Sequence, residues 1–136
     1  MKPTVTLDHT VMHVSDWDSA TAFWRDVMGA DIVSTPHGAV VFRFANAQLN
    51  LHGPGAIGSP VARVPVQPGN SDLCFEWHGP IEDAQSHLAT HGVEIELGPV
   101  NRFGLKGRGT SLYFRDPDGT LCEFISYVDD APSGQS

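Results

Sequence analysis

Basic residues and cysteine are both scarce in this sequence, and each scarcity excludes a class of protein. Lys and Arg together number 8 against 16 Asp and Glu, and the resulting formal charge of −8 repels nucleic-acid phosphates and anionic lipid headgroups. Two cysteines are too few for a disulfide framework, and a chain of 136 residues can bury a core without one. The sequence therefore predicts neither a nucleic-acid-binding protein nor a disulfide-stapled one.

Long apolar runs are also missing. No segment approaches the roughly 18 consecutive apolar residues that a membrane-spanning helix needs, and the first residues lead into a strand pattern rather than a targeting signal. Cys74 and Cys122 both lie within apolar strand-like runs, where a free thiol behaves as a small buried hydrophobe. We therefore expect a cytoplasmic protein with reduced, buried cysteines and no membrane partner.

The chain contains an internal repeat. Residues 29–32 match residues 92–95 at an offset of 63, and residues 48–51 match residues 121–124 at an offset of 73. The growing offset indicates extra loop residues in the second half. Each half is predicted to contain a strand, a helix and three further strands, which is a βαβββ module.

The first predicted module covers residues 5–52. Capping side chains at 15–18, followed by apolar residues at helical spacing, predict a helix that ends at Gly29. The strands of this module are expected at 6–14, 31–34, 39–44 and 48–52.

The second predicted module covers residues 71–128. Its helix is expected to run from Pro80 to Gly92. Residues 53–70, rich in Pro and Gly, are predicted to link the modules, and residues 129–136 to form a flexible tail. The strands of this module are expected at 72–77, 93–97, 110–114 and 121–127.

Polar side chains collect on one face of the predicted strands, because successive side chains of a strand alternate between faces. Polar groups in strand interiors need partners, and a metal ion can satisfy several at once. Imidazole and carboxylate together suit Fe(II), Mn(II), Ni(II), Co(II) or Zn(II). A His–carboxylate hydrogen bond without any metal is the alternative. The residues concerned are His9, Asn50, His52, Asp72 and Glu123.

Two segments resemble the vicinal oxygen chelate superfamily, which includes glyoxalase I, extradiol dioxygenases, fosfomycin-modifying enzymes and bleomycin-binding proteins. They are Leu-Asp-His at residues 7–9 and Tyr-Phe-Arg-Asp-Pro-Asp-Gly-Thr-Leu-Cys-Glu at residues 113–123. The resemblance spans about residues 5–127, and segments 49–52, 68–75 and 96–102 are similar to its small glyoxalase-domain, dioxygenase-like proteins. It implies an α+β fold in which two βαβββ modules form a cupped mixed sheet, as one domain over residues 1–128.

The resemblance also implies a metal site. Members hold the metal from the first and fourth strands of the modules, which implies His9 and Glu123 as ligands. Asp72 stands where many members have a second histidine, and Asn50 where glyoxalase I has a glutamate, so glyoxalase I activity is not expected. Either His52 or Asp72 could complete the ligand set, and Asp72 could instead orient His9.

A further group of residues is predicted to contact the substrate. Segment 101–109 carries three of the eight basic residues and is expected to be an inserted, mobile loop that closes over an anionic substrate. A solvated loop is the alternative. The residues predicted for substrate contact are His13, Asn50, Arg102, Phe103, Lys106, Arg108 and Tyr113.

These inferences together predict a divalent-metal-dependent enzyme that acts on a small, oxygen-bearing organic molecule. Dioxygenase-like and lyase or isomerase chemistry both stay open. The alternative is a metal-free protein of the bleomycin-resistance type that sequesters a small molecule. The resemblance further implies a homodimer, in which the two chains either share or exchange modules.

Overall fold

The computed structural model describes residues 1–128, and the chain divides into two compact units. Unit 1 is Met1–Pro68, and unit 2 begins at Gly69. Each unit contains, in chain order, a strand, a helix and three strands, which confirms the predicted α+β class and the βαβββ order. The segment predicted as a flexible tail, 129–136, lies outside the described residues.

Unit 1 is a four-stranded mixed sheet with one helix. Its sheet has the order β1-β4-β3-β2, with β1 parallel to β4 and the remaining pairs antiparallel. The bounds are β1 (His9–His13), α1 (Trp17–Asp26), β2 (Asp31–Ser34), β3 (Val40–Arg43) and β4 (Gln48–His52).

The core of unit 1 lies between α1 and one face of the sheet. Trp24 of α1 is fully buried and stacks on Phe42 of β3, with ring centroids 5.9 Å apart. Met12 and Leu51 are also buried, and they occupy the strand positions that point to this face. The alternating positions of β1 and β4 consequently form the opposite, polar face of the sheet.

Unit 2 repeats this arrangement with longer strands. Its sheet has the order β5-β8-β7-β6, again with the first and last strands of the module parallel. Three side chains of α2, Ile81, Ala84 and Leu88, are buried. The bounds are β5 (Asp72–Glu76), α2 (Ile81–Thr90), β6 (Leu97–Gly104), β7 (Gly107–Arg115) and β8 (Leu121–Ser126).

Segment 101–109 is not a mobile loop, and this prediction was wrong. Residues 101–104 pair with residues 107–110 in a β-hairpin whose turn holds only Leu105 and Lys106. A Cβ atom on Gly109 would lie 2.7 Å from Cγ1 of Ile125, so this glycine provides close packing of strands rather than mobility. The strand predicted at 93–97 was also misplaced, because β6 begins only at Leu97.

The two cysteines differ in environment. Cys122 is fully buried, as predicted, whereas Cys74 is exposed, so the prediction of burial was wrong for this residue. Cys74 shares its strand face with Asp72 and Glu76, which is the polar face of β5. Neither helix in residues 1–128 has the length and apolar character that crossing a membrane requires.

Candidate functional site

The polar face of unit 1 carries nitrogen donors. The parallel register of β1 and β4 places His9 opposite Gln48, Val11 opposite Asn50, and His13 opposite His52. Each of these pairs projects to the side of the sheet away from the Trp24 core. All four histidine and amide residues that the sequence singled out in this unit, His9, His13, Asn50 and His52, therefore line two adjacent strands.

His9 has a defined orientation. Its Nδ1 lies 2.9 Å from an Oδ2 of Asp8, and we assign the ring proton to Nδ1 from this hydrogen bond. Nε2 is then the unprotonated nitrogen, with a lone pair for a ligand. Metal-binding histidines commonly donate their other N–H to a carboxylate in this way, which fixes the tautomer and raises the basicity of the ring.

Asn50 is held by a short polar chain across β3 and β4. The Gln48 side-chain amide donates to Oδ1 of Asn50 at 2.8 Å, and Arg43 donates to Oε1 of Gln48 at 3.1 Å. The carbonyl oxygen of Asn50 is thereby engaged, while its NH₂ group can still donate to a bound molecule. The NH₂ group of Asn50 is therefore available for a ligand, and its contact with a substrate stays a prediction.

His52 lies beside His13 and not beside His9. The two imidazoles meet edge to face, with ring centroids 6.2 Å apart. His52 pairs at a position four residues along β1 from His9, which is roughly 13 Å at the usual rise of a strand. The structure therefore brings together two residues to which the sequence had assigned different roles.

A cavity of about 540 Å³ opens above this histidine pair. One wall is the sheet, through Val11, His13 and His52, and the other walls belong to residues 56–67. The sequence identified residues 53–70 only as a linker, since composition reports a lack of regular structure and not where a segment packs. This role of the linker is the largest feature that sequence reasoning missed.

The polar face of unit 2 carries oxygen donors instead. The register places Cys74 of β5 opposite Glu123 of β8, with Asp72 two residues earlier on the same face. Partial burial, and next the charge and hydrogen bonding of Glu123, raise the pKa of Cys74 to about 12, with a smaller contribution from Asp72. Both predicted carboxylate ligands therefore flank one neutral thiol, which sequence reasoning had not placed in the site.

Tyr113 and Arg102 lie next to this carboxylate group. Tyr113 of β7 is the antiparallel partner of Glu123, and its hydroxyl oxygen accepts a hydrogen bond from Nε of Arg102 at 2.9 Å. The guanidinium carbon also lies 5.4 Å from the centroid of the Tyr113 ring. Two of the residues predicted to contact the substrate are thus adjacent to a predicted ligand.

The other three members of that group lie at the tip of the β6–β7 hairpin. Nζ of Lys106 forms an ion pair with Glu76 at 3.0 Å. The Arg108 guanidinium lies 5.8 Å from the Phe103 ring centroid, and Phe103 is 79% exposed. The structure therefore divides the predicted basic segment, with Arg102 against Tyr113 and the remainder toward the turn.

The donor atoms of His9, Asp72 and Glu123 are of the types that bind divalent transition metals. Imidazole nitrogen from His9 and carboxylate oxygen from Asp72 and Glu123 are ligands that Fe(II), Mn(II) and Zn(II) accept. Within residues 1–128, no three His, Cys, Asp or Glu side chains are close enough together to hold one ion. The residues therefore match a metal by donor type, and His9 has a ring nitrogen free for one, but the described residues do not form an assembled site.

Comparison with known proteins identifies the family. Residues 6–124 match the model of the Glyoxalase/Bleomycin resistance protein/Dioxygenase superfamily. The chain is 42% identical to glyoxalase domain-containing protein RDO1 of Mycosarcoma maydis over 124 residues, 91% of this chain and 69% of that protein. It is 27% identical over 128 residues to biphenyl-2,3-diol 1,2-dioxygenase 2 of Rhodococcus globerulus, covering 90% of this chain and 63% of that enzyme.

A solved structure gives the same assignment. The integron cassette protein VCH_CASS1 from the mobile metagenome of V. cholerae superposes with a TM-score of 0.87 at 39% identity. The match covers 94% of this chain and 99% of that one, so it includes both βαβββ units. This chain belongs to the glyoxalase/bleomycin resistance protein/dioxygenase superfamily.

Proposed function

We propose that the protein is a divalent-metal-dependent enzyme that acts on a small, oxygen-bearing organic substrate by dioxygenase-like or lyase/isomerase chemistry. The observation that carries this proposal is the Asp8–His9 hydrogen bond of 2.9 Å, which leaves Nε2 of His9 available as a ligand. The similarity to a biphenyl-2,3-diol 1,2-dioxygenase supports the oxygenase branch.

We assign His9, Glu123 and Asp72 as the ligands. Asp72 is preferred to His52 because Asp72 and Glu123 share one face of unit 2, where both affect the Cys74 thiol. His52 is paired with His13 instead. One imidazole and two carboxylates form a set that leaves coordination positions for the substrate.

The protein groups around these ligands would position the substrate. A bound divalent metal would polarise the substrate oxygens and stabilise negative charge that develops on them. Cys74, the strand partner of Glu123, keeps a neutral thiol that can donate to that carboxylate. Tyr113, oriented by Arg102, presents a hydroxyl group that can donate to a substrate oxygen.

Metal stoichiometry and affinity test the proposal. We would measure the metal content of protein purified without chelators or an affinity tag, then titrate the metal-free form with Mn(II), Fe(II), Ni(II) and Zn(II). We expect one tightly bound ion per chain. We expect His9→Ala and Glu123→Ala to abolish tight binding, and Asp8→Asn to weaken it by about 10- to 100-fold.

Two further variants make the titration specific. His87 and His91 lie one turn apart near the end of α2, with ring centroids 4.6 Å apart, and such a pair binds added Ni(II) or Zn(II) weakly by itself. The His91→Gln background removes this contribution. In that background, His52→Gln should leave metal affinity unchanged, and a loss in this variant would overturn the choice of Asp72 over His52.

A metal-free ligand-binding protein is the second candidate function. The mainly apolar cavity of about 540 Å³ beside His13 and His52 favours it, because its volume falls in the range of small-molecule sites. If the purified protein holds no metal and the titrations show no binding above background, the enzyme proposal fails. The sequestering function then becomes the leading one.

We also propose that the chain forms a homodimer with shared or exchanged modules. Sedimentation velocity would measure the association state. If the chains exchange modules, His9→Ala and Glu123→Ala proteins that are unfolded and refolded together in equal amounts should regain about a quarter of the metal sites, because half of the dimers are mixed and each mixed dimer has one intact site of two. No recovery from a mixture that dimerises would contradict the exchange.

A further inference from the structure

The cavity of unit 1 has a composition that selects one kind of ligand. Most of its lining is aliphatic or proline, and the linker supplies Ile57, Val61 and Val66 among these residues. Among residues 1–128, no lysine, arginine, aspartate or glutamate lines it. The apolar walls favour a ligand with an apolar body, since burying such a body in water-excluded space is favourable.

The ionisable groups of the cavity are two imidazoles. His13 and His52 are each half-buried and directly opposed across the β1–β4 pair. Nδ1 of His13 lies 3.3 Å from the backbone oxygen of Val14, so Nδ1 carries the proton and Nε2 is the accepting nitrogen. Neither nitrogen of His52 has a hydrogen-bond partner among the described residues of unit 1.

Unpaired imidazole nitrogens in an apolar cavity suit an acidic hydroxyl or its anion. An imidazole accepts a hydrogen bond from a neutral acid, and once it has taken up a proton it forms a charge-assisted bond with the conjugate anion. Two rings with centroids 6.2 Å apart can share the two oxygens of one carboxylate.

The linker holds this arrangement closed on one side. A Cβ atom on Gly58 would lie 3.2 Å from Cε1 of His52, so the backbone of the linker rests against the imidazole ring. A larger residue at position 58 would have to displace that ring. Residues 56–67 therefore belong to the ligand site as much as the sheet does.

We propose that this cavity binds a weak organic acid with an apolar, ring-sized body, whose carboxylate or phenolic oxygen contacts His13 and His52 while the linker encloses the body. This inference goes beyond the metal proposal and does not depend on it, because His13 and His52 lie at the opposite end of β1 from His9. The cavity itself requires no metal, so its test uses metal-free protein.

The probe is 2-naphthoate, and its matched neutral control is 2-methylnaphthalene. Both have the same bicyclic body, and only the first carries an oxygen acid. Isothermal titration of the EDTA-treated protein should detect 2-naphthoate binding at micromolar to submillimolar concentrations. Repeating the titration in buffers with different ionisation enthalpies should reveal proton uptake, because an imidazole takes up a proton when it binds the anion.

Substitutions separate the polar contribution from the apolar one. His13→Leu and His52→Leu should each weaken 2-naphthoate binding at least tenfold and leave 2-methylnaphthalene within about threefold, because charge-assisted bonds are lost while the walls remain. Ala62→Trp should fill the cavity and abolish binding of both probes. His37→Leu, in the turn between β2 and β3, is the control and should change neither affinity.

The outcomes distinguish this inference from the metal proposal. Unchanged 2-naphthoate affinity in both histidine variants, or no binding of 2-naphthoate to the wild type, would overturn the inference. Equal loss of both probes in His13→Leu and His52→Leu would also overturn it, provided that near-UV circular dichroism shows an intact fold. If 2-naphthoate binds as expected but no metal does, the inference stands and the metal-dependent enzyme is rejected.

Discussion

The two units share one order of elements but present different chemistry on their polar faces. Unit 1 places imidazoles and an amide along β1 and β4, at His9, His13, Asn50 and His52. Unit 2 places carboxylates and a thiol at the corresponding strands, at Asp72, Cys74 and Glu123. A repeated βαβββ backbone therefore sets where side chains project, and the residues at those positions divide nitrogen and oxygen donors between the units.

The units also differ in their outer hairpins. In unit 1, β2 and β3 have four residues each, whereas β6 and β7 of unit 2 have eight and nine. The extra length carries Arg102 to Tyr113 and extends the basic tip of the hairpin beyond them. Unit 2 thus has a long hairpin where unit 1 has a short one.

Removal of the central aromatic residue of each unit should give the largest effect. Trp24 is fully buried against Phe42, and Phe114 is fully buried against Phe124 at 4.8 Å between ring centroids. Trp24→Ala and Phe114→Ala should each lower the free energy of unfolding by about 3–5 kcal/mol, measured by urea denaturation. Phe103→Ala, at an exposed site, should change it by less than about 0.5 kcal/mol. Unequal losses would show that the units do not contribute alike to stability.

Gly109→Ala tests whether close packing at this glycine holds the β6–β7 hairpin in place. The new Cβ atom would lie within 3 Å of Ile125 side-chain atoms and of the Ser126 carbonyl oxygen, and overpacking of this kind costs about 1–3 kcal/mol. Urea denaturation would measure the loss, with Arg108→Ala of the same hairpin as the control that should be nearly neutral. A harmless Gly109→Ala would restore the mobile-loop interpretation that the structure replaced.

Asp116→Ala tests whether the turn before β8 contributes more to stability than the turn before β4. In unit 2, Oδ1 of the buried Asp116 accepts hydrogen bonds from the backbone N–H groups of Asp118 and Thr120, at 2.9 and 2.8 Å. Loss of two bonds worth about 0.5–1.5 kcal/mol each should lower stability to urea accordingly. Asn46→Ala, in the corresponding turn of unit 1, should have little effect. Similar losses in both variants would remove this distinction.

Asp16→Ala should give the smallest effect, confined to the start of α1. The Asp16 carboxylate accepts a hydrogen bond from the Ser19 backbone N–H at 2.8 Å, whereas Pro80 at the start of α2 makes no side-chain cap. We expect the melting temperature at pH 7 to fall by a few degrees for Asp16→Ala and to change less for Pro80→Ala.

The stability difference between wild type and Asp16→Ala should depend on pH in a predictable direction. Hydrogen bonds from Ser19 hold the pKa of Asp16 below its ordinary value of 3.8. The stabilisation is therefore complete above that value and is lost as the pH falls through the lower pKa of the folded state. The difference between wild type and Asp16→Ala should shrink below pH 4, and an undiminished difference at pH 2 would exclude the charged cap as its cause.

Much of the fold could be predicted from the sequence. Strands 31–34 and 48–52 were placed at their observed bounds, because alternating apolar residues between turn-forming residues report a strand directly. The strand predicted at 110–114 lies within β7, but the extension of the hairpin over 98–109 was missed, since its glycines at 104 and 109 serve close packing against Tyr127 and Ile125. Glycine permits both mobility and close approach, and only the neighbours of the residue show which applies.

The strand face of each candidate residue could be predicted from the sequence, but the way these residues are arranged could not. Strand alternation placed His9, Asn50, Asp72 and Glu123 on polar faces, and the structure has them there. The partnership of His13 with His52 depends on the register of two strands that are far apart in the chain. Register is a property of pairing and turn geometry, which the local pattern of one strand does not specify.

The sequence by itself determined the family, the βαβββ order of both units and the types of donor atom that each sheet presents, because these depend on local periodicity and on motifs within short segments. The tertiary structure alone decided that residues 56–67 wall a cavity over two histidines and that Cys74 lies against Glu123. These features arise from contacts between distant segments, whose free energy depends on packing in three dimensions and leaves no periodic signal in the chain.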